Sequence, residues 1–201
     1  MKILVFISKV PDTTSKINFV DNNTKFDENG VQYIVNPYDE WYALVRALEL
    51  VEAQGGSVTT ITVGTASDDP TIRKALAIGA NDAVRIDADP SDPHFVAKQI
   101  AEYAKNENYD IILTGKETIN YNGSQIGGMI AEMLNTPFVS LATKLDVNNN
   151  VATLERDVKG GVEVVEVITP FVLSAAKGMA EQRIPNTVSY THLRAHETTC
   201  D

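Results

Sequence analysis

The sequence predicts an α/β fold: a doubly wound, mostly parallel sheet with an antiparallel hairpin at one edge. Three observations predict it. Short continuous apolar runs alternate with amphipathic segments of helical period, the pattern of parallel strands covered on both faces by crossover helices. Residues 109–134, YDIILTGKETINYNGSQIGGMIAEML, read as a buried strand, a glycine and amide loop, and a helix. After Asn135 the grammar changes to strand–turn–strand.

The elements follow in order. Lys2 to Ser8 is a continuous apolar strand. Residues 11–35 form a long polar segment with Asp21-Asn22-Asn23 and Asn29-Gly30, a length that marks a functional loop. Asn36-Pro37 breaks the chain before a helix from about Asp39 to Ala53, with Trp41, Leu44, Val45, Leu48 and Val51 inward and Gly55-Gly56 ending it. Ser57 to Val63 is the next strand. Asp68-Asp69-Pro70 supplies a cap and a first-turn proline for a helix reaching Ile78 and stopping at Gly79. Ala83 to Ile86 is a short strand, and Pro93 to Lys105 a helix with Val96, Ile100, Tyr103 and Ala104 inward.

Ile111 to Leu113 is a buried strand bounded by Asp110 and Gly115. Ile126, Met129, Ile130, Met133 and Leu134 then recur on one helical face. Phe138–Leu141, Thr143–Val147, Val151–Asp157 and Gly161–Thr169 read as strands, with Asn148-Asn149-Asn150 and Lys159-Gly160-Gly161 as turns. They form an addition at the sheet edge rather than a second domain.

Ligands of a doubly wound sheet sit at the carboxyl ends of strands, near the switch in strand order. The loops after Ser8, Val63 and Thr114 are the candidate rim. The Thr114–Gln125 loop leads through Gly115 into a helix N-terminus, where free N–H groups and the positive dipole end suit an anion, most often a phosphate. Alone the segment also fits an ordinary βα turn, and it is not a Walker motif, because the leading glycine and the hydroxyl after lysine are out of place.

Composition narrows the function classes. An apolar fraction of 43% and a charged fraction of 22% are those of a soluble globular protein. A net charge of −10 argues against nucleic acid as a partner. No apolar run approaches the ~18 residues of a membrane span, so no membrane insertion is expected. The chain enters a strand at once without a secretory signal, and the expected compartment is the cytoplasm. The single cysteine, Cys200, excludes a disulfide framework. No Ser–His–Asp set or paired carboxylate site stands out, so no catalytic residue and no metal ligand is assigned. His192, His196 and Cys200 have permissive metal spacing but lie in the anomalous tail described below, and His94 is expected to be exposed.

KILVFISKVPDT at the start, VNPYDEWYALV at Val35–Val45, DPTIRKALAIGANDAVRI at Asp69–Ile86, LTGKETINYNGSQIGGMIAEML and LERDVKGGVEVV at Leu154–Val165 occur in an order and spacing that resemble the β subunit of the electron transfer flavoproteins. The resemblance covers residues 1–186 as one nucleotide-binding domain. It implies a sheet of the adenine-nucleotide-binding type and one half of a heterodimer. The partner α subunit holds most of a redox-active FAD, while the β subunit buries a structural AMP. The pair carries electrons from acyl-CoA or other dehydrogenases to a quinone-linked oxidoreductase or another respiratory acceptor, without bond-making catalysis by this subunit.

The resemblance places AMP contacts at Phe6, at Asn36, Pro37, Tyr38 and Asp39, at Val63, and along Gly115, Lys116, Asn120, Asn122, Gly123, Ser124, Gln125 and Ile126. Gly123, Ser124 and Gln125 are expected to open the helix and present N–H groups to the phosphate, with Asn122 and the Ser124 hydroxyl adding bonds. Asn36 is placed to read a base edge. Asp39 fits a ligand contact or a plain helix cap, and Lys116 a phosphate partner or a solvated lysine. Arg156 and Asp157 point toward the α subunit near the flavin, or form a surface salt bridge.

Flavin-bifurcating relatives place a second FAD where AMP sits and tend to carry a DGDTAQ-like loop. NYNGSQ here favours AMP, although Tyr121 and Gly123 depart from the commoner text as well. A stand-alone ATP-binding stress-type module would explain the loop but not NPYDE or RDVKGG. A transferase or ligase using ATP is disfavoured, because ISKVPDT holds no SGGxDS-like text. Residues 187–201, TVSYTHLRAHETTCD, break the family pattern, and SYTHLRAHET resembles a translated sequencing adapter. They are read as a non-native tail on a truncated chain.

Overall fold

The computed structural model describes residues 1–181 and 183. The tail at 187–201, with His192, His196 and Cys200, lies outside them. Chain order is β1 (Lys2–Phe6), β2 (Lys9–Pro11), β3 (Phe19–Val20), β4 (Lys25–Phe26), β5 (Tyr33–Val35), α1 (Asp39–Gln54), β6 (Ser57–Gly64), a 3-10 turn (Ala66–Asp68), α2 (Asp69–Ala77), β7 (Asp82–Asp87), α3 (Pro93–Ala104), β8 (Ile111–Gly115), α4 (Ile126–Leu134), β9 (Phe138–Asn148), β10 (Val151–Val158), β11 (Gly161–Ile168) and β12 (Phe171–Ala175). The main sheet runs β11-β10-β9-β12-β8-β1-β6-β7. Every pairing from β9 to β7 is parallel. β10 and β11 extend the β9 edge in antiparallel fashion.

The two faces of β1 show why the sheet is covered on both sides. Ile3, Val5 and Ile7 enter one core with Leu44, Ala47 and Leu48 of α1 and Ala75 of α2. Leu4 and Phe6 enter the other with Ile61, Val63, Ile100 of α3 and Ile130 of α4. A period of two therefore feeds two hydrophobic layers, and each fully buried Leu or Ile contributes roughly 1.5–3 kcal/mol. Trp41, Val51, Tyr103, Met129 and Met133 are partly buried and pack at the margins of these layers.

Several expectations need correction. The first strand leaves the ladder after Phe6, although Ile7 stays buried and donates to the Ile61 carbonyl. Asp68 does not cap α2 with its side chain. The preceding 3-10 turn puts it in helical backbone, and its carboxylate meets Lys9 Nζ at 2.9 Å instead. Phe138–Leu141 and Thr143–Val147 form one strand, β9, irregular at Leu141 (φ 56) where its pairing with β12 slips register. Residues 11–35 carry their own two-stranded ribbons, β2–β5 and β3–β4.

The largest omission in the sequence reading is β12. Phe171, Val172, Leu173, Ser174 and Ala175 are all buried, and the strand lies between β8 and β9. The late strands are therefore not only an edge addition, because one of them closes the middle of the sheet. Among the described residues no helix is long and apolar enough to cross a membrane.

Candidate functional site

The chain leaves β1 through α1 to reach β6 on one side, and later arrives at β8 on the other side of β1. Strand order switches there, and a doubly wound sheet takes its ligands at the carboxyl ends of the strands beside such a switch. Phe6 ends β1, Val63 lies one residue before the end of β6, and Gly115 ends β8. Phe6 and Val63 are buried on the α3/α4 side, where Ile126 packs against the same cluster. They form an apolar floor. Asn36 to Asp39 lead into α1 from the opposite side.

Close packing at this corner requires glycine. A Cβ on Gly115 would stand 2.6 Å from Glu40 Cγ and 2.9 Å from the Glu40 backbone nitrogen. A Cβ on Gly127 would stand 2.6 Å from Thr114 Oγ1. The starts of α1 and α4 thus press directly on the end of β8.

The segment before α1 is built to hold the loop after β8. Asn36 is fully buried, and its Nδ2 donates to the Glu117 carbonyl at 2.9 Å while its Oδ1 accepts from the Ile119 N–H at 3.1 Å. Both ends of the amide are engaged by the loop rather than turned to a base edge. Tyr38 occupies the N-cap position at φ 68 and ψ −97, a strained backbone, with its ring half exposed.

Asp39 is the first residue of α1 rather than its cap. Burial raises its pKa, and nearby Lys116 opposes that shift. Glu40 is buried and accepts from the Ser8 N–H at 2.6 Å and the Ser8 hydroxyl at 2.8 Å. Desolvation pushes its pKa up to about 8 despite those bonds.

The loop itself is open. Residues 119–125 are exposed, and Asn122 (φ 49) and Ser124 (φ 52) adopt left-handed backbone. The Asn122 N–H donates to the Thr118 carbonyl at 2.9 Å, closing the turn. The helix opens at Ile126, later than expected, so Gly123 and Ser124 precede it and Gln125 sits at the N-cap position. The Gln125 side chain does not cap α4, and the first backbone bond runs from Met129 N–H to the Gln125 carbonyl. The amides of Ile126, Gly127 and Gly128 lie ahead of that bond, without partners inside the helix.

Lys116 Nζ meets Glu117 Oε1 at 2.8 Å, and the Ser124 hydroxyl donates to Glu117 Oε2 at 3.2 Å. Arg156 Nε lies 3.3 Å from Glu163 across the β10–β11 hairpin. A surface hollow of about 240 Å³ lies at the opposite, amino edge of the sheet beside Tyr109 and Pro170, away from all these residues. His94 is exposed. Among the described residues no group of His, Cys, Asp and Glu could hold a metal ion.

The sequence reading missed Ser8, Glu40 and Glu117. A serine ending an apolar run, paired with a glutamate at a helix start, was the available signal for the first two.

Comparison with known proteins gives a consistent picture. The sequence model of the electron transfer flavoprotein domain matches residues 23–192. The electron transfer flavoprotein subunit beta of Bacillus subtilis is 35% identical over 190 residues, covering 92% of this chain and 73% of that protein. The human subunit beta is 30% identical over 195 residues, covering 92% and 76%. Protein FixA of Sinorhizobium fredii is 31% identical over 194 residues, covering 89% and 66%.

Proposed function

This chain belongs to the electron transfer flavoprotein family as a beta-type subunit, and from that premise we propose that it binds AMP at the β1/β8 switch point and pairs with an alpha subunit. AMP serves as a structural cofactor that this chain never consumes. The observation that carries the reading is the uncapped start of α4 beside an exposed, turn-rich loop at the switch point. Main-chain amides there suit a phosphate, and the apolar floor of Phe6 and Val63 suits a purine. The residues present fit the group: Gly115 and Gly127 let the walls approach, and Lys116 is the basic residue of the loop.

Bound mainly by the alpha subunit, FAD supplies the redox chemistry, and this chain supplies a wall and its electrostatics. The donors are acyl-CoA or other dehydrogenases, and the acceptor is a quinone-linked oxidoreductase or similar carrier, in the cytoplasm. A second reading, in which FAD takes the place of AMP, rests on Tyr121 and Gly123, which depart from the commoner loop text.

Coexpression with the alpha subunit tests both. The expected result is a copurifying heterodimer whose acid-released nucleotides, by mass spectrometry, are AMP and FAD in equal amounts. FAD at twice the heterodimer concentration and no AMP would select the second reading. No pairing and no adenylate would overturn both.

A further inference from the structure

We propose that Glu117 is a built-in counter-anion of the nucleotide loop, whose carboxylate engages the same Lys116 and Ser124 donors that an incoming phosphate needs and sets the affinity for phosphorylated ligands. The proposal rests on the nucleotide reading above.

The backbone of Glu117 is held through its carbonyl, which accepts from the buried Asn36 amide at 2.9 Å. Its side chain is partly exposed. That side chain turns back over the loop and joins the residue after β8 to the residues before α4, with Lys116 Nζ at 2.8 Å and Ser124 Oγ at 3.2 Å.

Lys116 is the only basic residue between Gly115 and Ile126. Its charge is already shared between Glu117 and Asp39. A phosphate arriving at α4 therefore meets a lysine already ion-paired, a hydroxyl already donating elsewhere, and a like charge within the loop. Lys116 also holds the Glu117 carboxyl below its ordinary pKa, so the competing charge persists at neutral pH.

A uniform contribution to binding would be felt by any adenine ligand, whereas a competing anion is felt only by the phosphate. Glu117→Gln keeps the length of the side chain and removes its charge. Titration calorimetry of the full chain with AMP and with adenosine separates the two. AMP is expected to bind Glu117→Gln three- to tenfold more tightly than the parent chain, with adenosine unchanged, and Glu117→Ala is expected to give the same direction. Equal or weaker AMP binding in both variants would overturn the counter-anion role while leaving the nucleotide site standing. The same gain for adenosine would assign Glu117 to loop ordering and also overturn it. Failure of the parent chain to bind AMP at all would remove the nucleotide reading, and the role of Glu117 with it.

Discussion

Glu40 shows how one buried carboxylate joins stability to the site. It ties the segment after β1 to the start of α1 through Ser8, beside the candidate site. Its pKa rises from 4.5 to about 8 on folding, chiefly through desolvation. Between those values the folded chain binds a proton that the unfolded chain has released, so its contribution to stability falls as pH rises across that window. Glu40→Gln stays neutral and keeps an acceptor for Ser8. Urea midpoints at pH 6 and pH 9 should show a smaller loss for this variant than for the parent, with a gain at pH 9 on the order of 1–3 kcal/mol. Parallel pH slopes would assign the pH dependence to other groups.

Gly115 and Gly123 make a paired test at the same scale. Gly115→Ala drives a methyl into Glu40 and should cost about 1–3 kcal/mol and weaken AMP binding. Gly123→Ala meets nothing within 4 Å and should leave the thermal midpoint unchanged. Equal losses in the two variants would show that steric closeness at β8 is not what selects glycine there.

At the scale of elements, β12 decides whether the two halves of the chain form one core. Leu173 is fully buried and pairs with Leu113 on one side and Val139 on the other. Leu173→Ala should destabilise by about 2–5 kcal/mol in denaturant titration. A loss under 1 kcal/mol would mean that the late strands fold apart from the first half.

β12 was also the element least legible in the sequence. FVLSA has no alternation, is five residues long, and runs into Ala176, so buried strand and helix fragment look alike. By contrast, β1 and β8 carry apolar runs bounded by polar or turn residues, and α1 and α4 carry helical periodicity. The candidate site was legible as two separate segments, NPYDE and the glycine–amide loop. Their junction was not, because the bonds from Asn36 to Glu117 and Ile119 cross 81 and 83 positions of chain. Local pattern has no access to contacts of that range. The start of α4 was displaced for a related reason: left-handed backbone at Asn122 and Ser124 delays the helix beyond where small residues alone would start it.

For the whole molecule, the unequal edges of the sheet point to how it assembles. Among the described residues β11 is the outer strand at the hairpin edge, and no further strand pairs with its outer side. Val162, Val164 and Ile168 on its outer face are 58%, 64% and 60% exposed, and Val151 lies opposite Ile168. Val165 and Val167, on the opposite face, pack against the core. The outer-face strip is mixed, because Glu166 of β11 and Glu155 and Asp157 of β10 share the face, and exposed branched side chains beside carboxylates at a sheet edge suit a partner surface. A beta-type subunit has one obligatory neighbour in the proposed assembly, and this strip is where we expect the alpha subunit to rest.

Val164→Lys adds a charge outside both core clusters, opposite Glu155 of β10, so it brings no like-charge pair. It should leave the unfolding midpoint and AMP affinity within error of the parent while weakening heterodimer formation at least tenfold, read by sedimentation with the alpha subunit. Loss of AMP binding together with pairing would instead tie the edge to the nucleotide loop, and unchanged pairing would move the alpha subunit to another face.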